Sequence, residues 1–365
     1  MNASLRRNDM HLLLPTNEIN ASIPLEPFMS YKDLVTMNLV LCPVINCLVV
    51  FGICTNVANV LVYYRIGFSS PSTISLFCLS ITDTYCLIYI SLSSIGILPW
   101  VRVADYPIAL VEVAYILSPV RHSVAATGSW ITAVINVERS CCVVFPMKVK
   151  SIFTRKTIIS LIAGMVVYQV LATMPRSLIL HITKTKSQFS NRMVYKVDPK
   201  KYDQRILNAT LMASNAIPTF LCFLVVVVGT IFLIYSFKKS RALRHAMTRS
   251  KTGPTANTGS DKGSKLDTGT KMSEKDRKLI RSVIAISSIY IFGETPHVLF
   301  FCAGAFYPPF NLYNPYFYYF AASLVMMSHF FQAVSYSVNF FVYLNMSSKF
   351  KQTFKEIFPG CLRKQ

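Results

Sequence analysis

The chain has 365 residues, of which 53% are hydrophobic and only 15% charged, yet its formal net charge is +21. That much apolar length cannot be buried in one or two soluble domains, which excludes an ordinary soluble enzyme or nucleic-acid-binding module. A lipid bilayer is the solvent this composition requires.

A helix needs about 20 mainly apolar residues to cross a hydrocarbon core roughly 30 Å thick. Seven segments meet that length: Leu39 to Tyr64, Ser72 to Leu98, Val111 to Val144, Thr157 to Leu180, Ile206 to Phe237, Leu279 to Tyr307 and Tyr313 to Leu344. Each is far longer than the roughly ten alternating residues of a membrane strand, so the expected fold is an all-α, seven-transmembrane helix bundle. Three parts follow: an amino-terminal segment over residues 1–38, the membrane domain over 39–344, and a tail over 345–365.

Charge distribution orients the bundle. Lys and Arg number 1, 4 and 12 in the first, third and fifth connections and 5 after the last span, 22 of the 37 in the chain. These segments are expected to face the cytoplasm, leaving the amino terminus outside at the plasma membrane. Topology thus accounts for the basic charge, and no nucleic-acid partner is expected. Asn2 and Asn20 head sequons on the outer side and are glycosylation candidates. The Lys-, Ser-, Thr- and Gly-rich stretch 238–276 reads as a disordered, basic cytoplasmic loop. Beyond the seventh span, Phe350, Phe354, Ile357 and Phe358 alternate with lysines at helical spacing, the pattern of a short amphipathic helix on membrane lipid.

Along the spans, marks recur in a fixed order: Gly52 and Asn56 in the first, Leu79-Ser80-Ile81-Thr82-Asp83 in the second, Glu138-Arg139-Ser140 ending the third, then Pro218, Pro296 and Asn339-Phe340-Phe341-Val342-Tyr343. Together they resemble the rhodopsin-like (class A) G-protein-coupled receptors over about Asn38 to Cys361, in a divergent form similar to invertebrate peptide or chemosensory receptors. The resemblance implies a heterotrimeric G protein as partner and an activation switch built from Asp83, Glu138, Arg139, Asp276, Ser335, Asn339 and Tyr343. In it Arg139 is restrained by Asp276 on the sixth span, and Asp83 shares a polar pocket with Ser335 and Asn339. Gly128 offers that pocket no hydroxyl, which counts against sodium at Asp83, and no cofactor is expected. Cys361 stands where the resemblance puts a palmitoylated cysteine.

Several marks are missing. No Cys occurs from Leu87 through Ser140 or from Val143 through Leu221, so the cystine that joins the third span to the second outer loop in such receptors cannot form. That loop must be held by packing or charge. Met165 stands near the place of the usual tryptophan in the fourth span, and Glu294 takes that of the tryptophan in the sixth.

Arg121, 18 residues or roughly 27 Å of helix before Arg139, lies inside an apolar span and needs a reason to be there. Its planar donor fork favours a carboxylate or phosphate over an amine. Two uses remain open at this point: an internal ion pair with Glu294, or direct capture of an extracellular anionic or peptide ligand with Glu294 and His297 lining the same cavity. The second outer loop, with seven basic residues against Asp198 and Asp203, would steer such a ligand. No enzymatic motif stands out. Two other readings stay open: a transporter or channel subunit with Asp83, Arg121 and Glu294 along a substrate path, and a receptor-like protein that does not signal.

Overall fold

The fold is that of a computed structural model, which describes residues 27–103, 106, 108–144, 149, 151–178, 180–186, 193–197, 204–250, 274–307, 309–310 and 314–359. Asn2, Asn20 and Cys361 lie outside these residues, and the Asp276 side chain lies outside what is described.

Among the described residues, seven long helices make one bundle: α1 (Tyr31–Ile66), α2 (Pro71–Gly96), α3 (Leu110–Val144), α4 (Arg155–Leu178), α5 (Gln204–Leu211, Met212–Ala216 and Ile217–Ser250), α6 (Glu274–Phe306) and α7 (Tyr318–Met346). A short α8 (Ser348–Ile357) follows. α1 packs on α2 and α7, α7 on α6, and α6 on α5, while α3 runs through the middle against α2, α4, α5 and α6.

The bundle is inverted relative to a soluble protein. Asn56, Asn59, Ser75, Ser80, Asp83, Gln169, Ser214 and Gln332 are sealed inside, whereas Val40, Val57, Val167, Leu221, Val228 and Ile231 face outward. A hydrocarbon surround favours that arrangement, because most of these interior polar groups then find a partner within the protein, Gln169 being an exception among the described residues. Among the described residues, five helical segments are long and apolar enough to cross a membrane: Tyr31–Ile66, Pro71–Gly96, Arg155–Leu178, Ala209–Lys238 and Ile280–Phe306. α3 and α7 fall short by composition because they carry much of the polar interior, including Arg121, Asn136, Glu138 and Arg139 on α3 and His329, Gln332, Ser335 and Asn339 on α7.

Helix ends depart from the apolar runs. α1 starts at Tyr31, not Leu39, because Ser30 caps it by accepting the Asp33 N–H at 3.2 Å. α5 continues as helix to Ser250 and α6 begins at Glu274, so residues 238–250 and 274–276 of the expected loop are helical. The hydrocarbon limits where the apolar run must stop, but a helix propagates past it at little cost. α5 also contains a π-helical turn over Met212–Ala216. Pro218 follows it; without an N–H it could not bond the Ser214 carbonyl in regular α-helix, and the wider turn absorbs the missing bond. α8 is capped by Ser347, which accepts the Phe350 N–H at 3.2 Å. Its Phe350 and Phe354 pack on Tyr63, Phe340 and Tyr343, and Lys349, Lys351 and Lys355 stay exposed.

At the opposite end from α8, strands β1 (Ile182–Lys186) and β2 (Met193–Val197) form an antiparallel hairpin between α4 and α5. The structure shows what holds it in place of a cystine. Glu112 in the first turn of α3 accepts the Val197 N–H at 2.9 Å, and Ile108 bridges Tyr195 just before that helix. A carboxylate accepting a backbone N–H is one of the stronger hydrogen bonds available, about 1.5–3 kcal/mol. Glu112→Ala is expected to speed amide hydrogen exchange at Val197 and along β2 while the α2 and α7 amides stay protected; unchanged exchange in β2 would remove Glu112 from this role.

Candidate functional site

The buried centre of the hairpin half is built around Arg121, which is 2% exposed. α3 places it facing α7, and its Nη2 donates to Gln332 Oε1 at 2.5 Å while the guanidinium lies 5.6 Å from the centre of the Tyr89 ring. Gln332 Nε2 in turn donates to both Glu294 oxygens at 3.2 and 3.0 Å, and the Tyr336 hydroxyl donates to Glu294 Oε1 at 3.1 Å.

A direct Arg121 to Glu294 ion pair, one of the two uses left open by the sequence, is not what forms. α7 stands between the two charges, and an amide that accepts on one atom and donates on the other is the neutral side chain that can join a guanidinium to a carboxylate. Gln332 had no signal in sequence beyond being an amide in a helix rich in polar residues. Glu294 sits two residues before Pro296, so the chain of bonds ends where α6 lacks a backbone hydrogen bond. His297 points elsewhere: its Nε2 is 3.4 Å from Asn215 Nδ2 in the π-helical turn and its ring packs on Phe301. It is buried beside the Arg121 cluster without a hydrogen bond to it.

Asp83 and Glu294 line one small cavity of about 20 Å³, together with Ser129, Thr132, Ser335 and Asn339. That is room for a single water molecule. Asn339 Nδ2 donates to Asp83 Oδ2 at 3.0 Å, joining α7 to α2. Ser335 borders the same cavity as Asp83, and its hydroxyl donates to the Ile289 carbonyl at 3.2 Å.

Toward α8, Arg139 and Glu138 form an ion pair at 3.5 Å with both side chains buried. Ser72 at the start of α2 accepts from Arg139 Nη2 and donates to Glu138 Oε1 at 3.2 Å, which ties the pair to α2. Tyr343 is buried against Tyr63, with ring centres 5.6 Å apart. A junction that sequence reasoning missed lies one turn deeper. Asn136 donates to Thr230 on α5 at 3.1 Å and to Ser287 on α6 at 2.8 Å. Gly229 makes room for it, since a Cβ there would stand 1.9 Å from Asn136 Oδ1.

The buried polar groups thus form four stations along one axis, each joining α3 or α7 to different neighbours, with charged side chains at all but the Asn136 junction. In comparison with known families, the model of the family described as Serpentine type 7TM GPCR chemoreceptor Srw matches residues 43–361. The chain belongs to that family. It is a multi-pass membrane receptor, and the resemblance read from its ordered motifs is borne out in its divergent, chemosensory form. The family is not an enzyme class. No curated protein matches the sequence.

Two outcomes follow from the packing. Gln332→Leu keeps the volume but leaves Arg121 and Glu294 buried without their link, and should destabilise the purified receptor by about 3–5 kcal/mol in thermal unfolding. Gly229→Ala should cost about 1–3 kcal/mol by overpacking, and much less in an Asn136→Ala background, because the two sites share one contact.

Proposed function

We propose that this receptor binds an extracellular ligand bearing an anionic group, either a small acid or a peptide carboxylate, through Arg121, and passes that binding to a heterotrimeric G protein at the opposite end of the bundle. The observation that carries the reading is the relay from Arg121 through Gln332 to Glu294 and Tyr336. An arriving carboxylate would match the donor fork of Arg121 better than the single amide oxygen of Gln332 does. Gln332 would then be released from α3, and its hold on Glu294 would change next to Pro296 in α6. Binding energy at one end would so bias the relative position of α3, α6 and α7, which is the form a population shift between bundle arrangements takes.

In this reading the hairpin end faces outward, at the plasma membrane, with the amino terminus on the same side. The exposed Lys184, Lys186 and Lys196 of the hairpin support the choice of an acidic ligand, because they raise its local concentration at the entrance. Glu138, Arg139, Asp276 and Tyr343 make up the inner part of the switch, with Asp83, Ser335 and Asn339 between. Arg139 leaves Ser72 and Glu138 to meet the G protein.

The test is a reporter assay with a promiscuous G protein, screening small anions and peptides in cells expressing the full chain. Agonist-dependent signal is expected, abolished by Arg139→Ala. Arg121→Lys, which keeps the charge and loses the fork, is expected to weaken potency about 10- to 100-fold at unchanged surface expression, the range of one charge-assisted hydrogen bond of about 1.5–3 kcal/mol. Ligand-driven current without G-protein signal would overturn the receptor mechanism, and unchanged potency in Arg121→Lys would overturn the role of Arg121.

A further inference from the structure

Arg176, near the end of α4 on the hairpin side, is 9% exposed and turned into the bundle. An arginine one turn from a membrane surface ordinarily extends its stem toward water. Here Nη2 donates instead to the Ser118 hydroxyl of α3 at 2.8 Å, and Nη1 is buried with no hydrogen-bond partner among the described residues. The single ion pair among the described residues is that of Arg139 with Glu138, so no described carboxylate neutralises Arg176.

The surroundings are polar and equally unfinished. Thr173, one turn below Arg176, accepts from Ser123 at 3.2 Å, continuing a polar seam between α3 and α4. Gln169, one turn further, is 1% exposed with neither amide atom bonded, and His122 Nδ1 is likewise buried and unpartnered. Ser118 precedes Arg121 by three residues, so the Arg176 head lies about one helical turn along α3 from the Arg121 anchor. His122 and Tyr89 lie within electrostatic reach of both guanidinium groups. Glu294, joined to Arg121 through Gln332, balances one of these two buried charges, and no described carboxylate does the same for Arg176, whose burial stays costly until a counter-charge arrives.

We infer that Arg176, with Ser118 and His122, is a second anion subsite, and that the ligand captured by Arg121 carries two acidic groups set a few bonds apart. This rests on the reading of Arg121 given above. A dianion would neutralise both arginines and fill the free Nη1 donor of Arg176, whereas a monoacid would leave one of them uncompensated.

The experiment is thermal stabilisation of the purified full chain by succinate, glutarate and adipate, with butyrate as the monoacid control. At least one diacid is expected to reach half-maximal stabilisation at a concentration tenfold or more below that of butyrate. Arg176→Gln should erase this advantage while leaving the butyrate midpoint in place, Ser118→Ala should reduce it, and Arg176→Lys should retain most of it. Equal midpoints for diacids and butyrate in the wild type overturn the second subsite while leaving Arg121 as an anchor. An advantage that persists in a folded Arg176→Gln protein overturns it too, and if that variant does not fold, an undiminished advantage in Ser118→Ala does so. Butyrate that binds Arg121→Gln as well as wild type overturns the anchor instead, and failure of every acid to stabilise the wild type overturns both.

Discussion

A guanidinium sealed inside a lipid-embedded bundle cannot turn to water, so it depends on what the protein offers: the Nη2 of Arg121 finds Gln332 while its Nε has no partner among the described residues, and its placement sets the terms for two other helices. α7 must offer an acceptor at Gln332, α6 must supply the balancing charge at Glu294, and Tyr336 must complete that carboxylate. The relay is satisfied only when α3, α6 and α7 hold one rotational setting about their axes. In hydrocarbon the penalty for leaving such groups unpaired is several kcal/mol each, which makes the setting specific rather than merely compact.

The same constraint explains where the bundle packs most closely. With lipid outside, apolar burial contributes little to holding helices together, and contact depends on small residues and interior hydrogen bonds. Gly229 admits the Asn136 amide, and Gly293 admits Ser335, to which an added Cβ would come within 2.4 Å. Each glycine lets a polar side chain of one helix reach the backbone surface of the next. The sites of closest approach are therefore also the sites where polar stations form.

How much of this was legible in sequence follows from what each feature depends on. The spans could be read because hydrocarbon thickness sets a length that apolar runs must meet. The Asp83 and Asn339 bond could be anticipated from the order of motifs, and so could the buried Glu138 and Arg139 pair, although Ser72 as their common partner was not visible. Gln332 escaped because an uncharged amide in a polar helix announces nothing until its neighbours are known. Arg176 escaped for a different reason: near the end of an apolar run a basic residue reads as an interfacial anchor, and only the inward turn of its side chain says otherwise. Glu112 was one acid near a span end, and its part in holding the hairpin depends on β2 presenting the Val197 N–H to it. In each miss the decisive information lies between helices, where sequence spacing is silent.

α3 gathers these interactions on one helix, whose backbone ladder lacks a bond at Pro119 and runs on from there through Arg121 to Arg139. Glu112 reaches the hairpin, Ser118 reaches α4, Arg121 reaches α7, Asn136 reaches α5 and α6, and Arg139 reaches α2. Over 27 residues, or about 40 Å of helix, a rotation or shift of α3 changes partners at every level together. Polar contacts of this kind are made or broken and do not stretch, so the helix has discrete settings rather than a continuum. A ligand that changes the bonding of Arg121 alone would alter the balance at Arg139 because both are side chains of one stiff rod. No separate path of communication between the two ends is then needed.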